Sequence, residues 1–96
     1  MGYKKMKAET KKIPKLVLIE WIDSRSPIPG WCLIEECEMP HACKCVSVGY
    51  LVVNSKDEKV LAQSIADLES DSLQANGLMV IPAKTIITMR PLVSRN

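Results

Sequence analysis

Apolar and polar positions alternate with a period of two along much of this chain, which predicts strands rather than helices. The strongest stretch is residues 45–53, CVSVGYLVV. Val46, Val48, Tyr50 and Val52 fall on one face; Ser47, Gly49, Leu51 and Val53 fall on the other. Apolar residues on both faces predict a strand that is covered on both sides, or one that curls to keep one face inside a barrel. Gly49 favours the curl, because a glycine inside a strand marks a bend, a bulge or a close backbone approach. The competing explanation is that it makes room for a bulky neighbour.

The same pattern organises the rest of the chain. Residues 16–22 (LVLIEWI) predict a first strand with Leu16, Leu18, Glu20 and Ile22 opposite Val17, Ile19 and Trp21. Asp23 and Ser24 open a loop broken by Pro27, Pro29 and Gly30. Residues 31–39 predict one or two helical turns ended by Pro40, or instead a short strand around 32–34. A polar turn at 54–58 and a strand at 59–64 complete a hairpin with the central strand. Residues 65–77 read as a long acidic loop with a helical turn at 66–69, longer than ordinary connections and so functional or mobile. A fourth strand at 78–82, a tight 3₁₀-type turn at 82–84 and a last strand at 85–91 finish the pattern. The expected fold is mainly all-β, a small five-stranded barrel with at most one short helix.

Length and composition narrow this picture. With 96 residues there is material for one core, and 47% hydrophobic content excludes a disordered composition. Phe is absent, so Val, Ile, Leu and Met must build the core. No apolar run approaches the roughly 18 residues of a membrane span. No apolar leader follows the basic start, so no membrane partner and a cytoplasmic location are expected. The formal charge of +2 is unevenly distributed: residues 1–15 carry six Lys and one Glu, while the remainder is net acidic. Residues 1–15 are therefore expected to be a disordered basic arm, and residues 16–93 the domain. Lys4, Lys5, Lys7, Lys11 and Lys12 in that arm are candidate phosphate contacts for an alternative, nucleic-acid-binding function.

Two indoles and a carboxylate, Trp21, Asp23 and Trp31, flank the first loop. Such a rim suits a planar ligand; plugging the end of a core without Phe is the structural alternative. Tyr50 adds a stacking surface, and Lys84 and Arg90 beside the last strand would meet an anion. The thiols of Cys32, Cys37, Cys43 and Cys45 and the imidazole of His41 lie within fourteen residues. Their spacing, C-x4-C-x5-C-x-C, lacks paired C-x2-C knuckles, but Cys43 and Cys45 would share a strand face, so the five are an alternative metal set. Without a secretory signal, reduced thiols in small core positions are the default and no cofactor is expected. No G-x-S-x-G, phosphate-cradling glycine loop or metalloprotease helix occurs, and the chain is read as not an enzyme.

The segment Ser47-Val48-Gly49-Tyr50-Leu51 leading into a hairpin resembles the bent glycine-containing strand of Sm-like and Hfq-like proteins. Residues 78–92 (LMVIPAKTIITMRPL) resemble their closing strand–turn–strand, an arrangement shared with Src-homology-type barrels. Taken whole, the chain resembles small, mostly uncharacterised bacteriophage and prophage proteins, through Trp21, Asp23, Ser24, Trp31, Ser47-Val48-Gly49-Tyr50-Leu51 and Val80-Ile81-Pro82. These resemblances imply a phage-encoded binding module in the host cytoplasm. It would be a ring-like homo-oligomer joined through edge strands, taking a small ligand such as a nucleotide, or a host protein. Residues 85–91 are the expected edge.

Overall fold

The computed structural model describes residues 13–93. Five antiparallel strands form one open sheet: β1 Leu16–Asp23, β2 Cys43–Asn54, β3 Glu58–Ala66, β4 Gln74–Pro82 and β5 Ile86–Pro91. Their order is β4-β3-β2-β1-β5. The first four strands meander, and β5 returns to the free side of β1. Helix among the described residues is confined to two 3₁₀ turns, Ile34–Glu36 and Ala83–Thr85. None is long and apolar enough to cross a membrane. The basic arm, with Lys4, Lys5, Lys7, Lys11 and Lys12, lies outside the described residues except for its last three positions.

Register explains which side chains are buried. Val17, Ile19 and Trp21 on β1 pair with Gly49, Ser47 and Cys45 on β2, and Leu51 pairs with Leu61 on β3. Opposed residues share a face, so these positions form one continuous surface. On it Val17, Ile19, Leu61 and Ile81 are buried as a cluster, with Trp21, Leu51 and Ile86 packed against them. Ile19 and Ile81 are wholly enclosed, each contributing about 1.5–3 kcal/mol by burial. Among the described residues no second layer covers this face. The sheet curls over it, bringing the Ser47 hydroxyl on β2 within 3.6 Å of the Met79 sulfur on β4, two strands away.

Gly49 marks where that curl begins. A Cβ built there would lie 3.0 Å from the Ala62 carbonyl oxygen and 3.0 Å from the Leu61 Cβ. The glycine therefore permits a close approach of β3's backbone as well as its side chain. Pairing of β2 with β3 starts only at Tyr50, and β2 continues past a bulge between Leu51 and Val53. The preceding part of β2, from Cys43 to Gly49, has its strand ladder with β1 alone.

Two expectations are corrected. The acidic connection is shorter than 65–77, because β3 and β4 stay paired out to Ala66 and Gln74. The remaining connection, residues 67–73, has no helical turn at 66–69. Asp67 adopts a left-handed φ of 62°, its carbonyl accepts the Ser70 N–H, and its carboxylate accepts the Gln74 amide. Of the two alternatives for residues 31–39, the structure has the helical one, a single 3₁₀ turn at Ile34–Glu36 and no strand around 32–34, with Leu33 and Ile34 exposed.

Candidate functional site

The long connection from β1 to β2, residues 24–42, folds around a cavity of about 600 Å³. That volume lies within the usual range for small-ligand pockets. Pro27, Pro29 and Pro40 stiffen the wall, while Trp31, Arg25 and His41 give it chemical character. The Arg25 Nε–H donates to the His41 carbonyl at 2.6 Å and ties the two ends of the connection together. A guanidinium has five N–H donors, so this bond leaves others for an anion. Trp31 is fully exposed and offers an open indole face.

A disulfide between Cys32 and Cys37, with Cα atoms 5.6 Å apart, closes the 3₁₀ turn into a small ring. This corrects the expectation of four reduced thiols in core positions. The connection has no apolar layer to pack against, and the covalent link fixes its shape instead. The five-donor metal set is not assembled either. Two of its sulfurs are consumed in the disulfide, and no group of three or more His, Cys, Asp or Glu side chains gathers for a metal ion among the described residues.

Cys43 and Cys45 remain free and half-buried. As their spacing predicted, they share a face, with sulfurs 4.0 Å apart. The Cys45 thiol is pushed above its ordinary pKa by partial desolvation, then by its contact with Cys43 and by the Asp23 carboxylate, with the Arg25 guanidinium acting in the other direction. An activated nucleophile requires the opposite shift.

The predicted ligand residues separate in space. Trp21 turns toward the core and donates its indole N–H to the Ser47 hydroxyl at 3.0 Å, so it serves the structural role rather than stacking beside Trp31. Asp23 ends β1 opposite Cys43, and its carboxylate accepts the Ser24 N–H. Tyr50 pairs with Leu16, and Arg90 pairs with Leu18. Both therefore lie on the face opposite Trp21. Lys84 sits in the 3₁₀ turn before β5. Only Trp31 of the six lines the loop cavity. Sequence reasoning missed Arg25, although it is the one Lys or Arg between Lys15 and Lys44. A lone cation among prolines and a tryptophan was the available signal.

No family model, curated protein or solved structure matches this chain.

Proposed function

We propose that this protein is a phage-encoded, non-enzymatic binding module acting in the host cytoplasm. It has an Sm-like small-barrel body that self-associates through its edge strands and a loop cavity that takes a planar anion of the nucleotide class. The cavity within residues 24–42 carries this reading: a free indole face and a guanidinium lie in one pocket stiffened by prolines. Stacking of a base on an aromatic ring contributes about 1–3 kcal/mol, and an Arg fork suits phosphate oxygens. The curled meander, with β5 returned to β1 through a 3₁₀ turn, supports the Sm-like body.

Self-association is supported by what the sheet leaves uncovered. The outer edges of β4 and β5 are at opposite ends of the strand order. Leu78 and Val80 on β4 and Ile87 and Met89 on β5 are exposed. An open edge with apolar flanks is covered by pairing with another chain, and head-to-tail pairing of unlike edges generates a ring when the rotation closes.

Native mass spectrometry of the purified full chain tests both halves. The expected result is a multimer carrying additional nucleotide-like mass. Titration with adenine and guanine nucleotides should quench Trp31 emission, while Trp31→Ala and Arg25→Ala each weaken binding at least tenfold. A bare monomer, unresponsive to nucleotides, would remove this reading and leave a host protein as the occupant to seek.

A further inference from the structure

The free thiols and the unpaired part of β2 belong to one device. The sulfurs of Cys43 and Cys45 lie 4.0 Å apart on one strand face. In a tetrahedral zinc–thiolate centre with Zn–S bonds of about 2.3 Å, neighbouring sulfurs are about 3.8 Å apart. The pair already has the spacing of one edge of that tetrahedron. Two residues of strand advance the backbone by roughly 6.6 Å, at the upper end of the Cα separation that a disulfide bridges. The strand thus holds these two thiols as a dithiol, whereas Cys32 and Cys37 are joined.

Two thiolates make half of a structural zinc site, and no third donor gathers with them among the described residues. The described residues do not supply the other half, and β2 shows where a second copy can approach. Its edge from Cys43 to Gly49 pairs with β1 on one side and has no ladder to β3; the approach lies at Cys43 to Val46, because Ser47 and Gly49 sit against Met79 of β4 and Leu61 and Ala62 of β3. Val46 on this length is exposed. Antiparallel pairing of two such edges about Lys44 sets Cys43 opposite Cys45 of the partner subunit, and Cys45 opposite Cys43 of the partner subunit. Opposed residues share a face with Cβ atoms about 4.5–5.5 Å apart, so all four sulfurs face one another.

We infer that Cys43 and Cys45 form a half-site for a zinc-type divalent ion, completed by the same two residues of a second copy paired along β2. Four thiols lose their protons to solvent as the ion binds, giving a Zn(Cys)₄ centre of net charge −2. The same register places the two Lys44 side chains opposite each other on the reverse face. Facing like charges oppose pairing, and the anionic centre offsets them, so this contact requires the metal. This contact uses a different edge from β4 and β5 and does not depend on the loop cavity.

The test uses the full chain with Cys43 and Cys45 reduced, titrated with Zn(II), and with Co(II) as a spectroscopic probe. The expected result is one metal per two chains, a doubled mass in native spectra and the absorption of tetrahedral cobalt thiolate. Cys43→Ser/Cys45→Ser should lose both metal and doubling, whereas Cys32→Ser/Cys37→Ser, still carrying the dithiol, should keep them. One metal per chain, no metal, or metal retained by Cys43→Ser/Cys45→Ser would overturn the inference. Mass measured in chelator reports pairing through β4 and β5 separately, so failure here leaves that reading to its own test.

Discussion

Two adjoining stretches of this chain are rich in apolar residues and meet opposite fates. In β1, Val17 and Ile19 are 3% and 0% exposed. In the connection that follows, Ile28, Trp31, Leu33, Ile34 and Met39 are all more than half exposed. Hydropathy alone does not separate them; backbone pairing does. β1 has partners on both sides, so its amides are satisfied and alternate side chains are delivered to a common surface. The connection has no ladder, and its shape comes from a disulfide, prolines and the Arg25–His41 bond. An apolar stretch without backbone partners becomes a surface, available to something outside the chain.

Substitutions on each side should widen or collapse that contrast. Ile19→Ala, which empties a fully enclosed position, should destabilise the protein by about 2–5 kcal/mol in urea unfolding; a loss near zero would mean that the core is not where burial places it. Gly49→Val should cost more than the roughly 1 kcal/mol span of strand propensity, since β3's backbone must retreat, and a fully stable valine variant would refute the close approach. Trp21→Phe removes the donor to Ser47 while keeping a ring against the core. A loss of about 0.5–1.5 kcal/mol is expected, with nucleotide quenching of Trp31 preserved.

On the loop side, Cys32→Ser/Cys37→Ser should leave the unfolding midpoint of the sheet nearly in place while speeding proteolysis within residues 24–42. A large drop in midpoint would show that the connection supports the core. The smallest effect belongs to Trp31→Ala. A fully exposed side chain should change stability by no more than about 0.5 kcal/mol, measured by thermal unfolding, although ligand binding is lost.

The sequence revealed most of the sheet because alternation records which residues face a common surface. β1, the long β2 and the first hairpin stand where period-two apolar residues predict them. The missed lengths are short and do not alternate: 65–66 is only Ile-Ala, and 74–77 is Gln-Ala-Asn-Gly. Their pairing follows from the neighbouring strand, as Ile65 opposite Ala75 shows, rather than from their own propensity. The candidate site was less legible. Trp21 and Trp31 bracket the same loop, but only register assigns Trp21 to the core face. The spacing of Cys32 and Cys37 carries no pairing signature, and their link depends on a loop path that has no periodicity.

The outer end of the β3–β4 hairpin has a consequence for how this molecule can be handled. From Ser64 to Ala66 and Gln74 to Asn76 the two strands pair only with each other, and residues 67–73 turn at their tip, exposed apart from the half-buried Leu73. Exposed tips of this kind accept insertions better than any paired strand. A fluorescent domain or an affinity tag spliced between Ser70 and Asp71 is expected to leave the core and loop cavity intact. Labelled there, the chain would carry its reporter at the tip of the β3–β4 hairpin, beyond the last paired residues of the sheet.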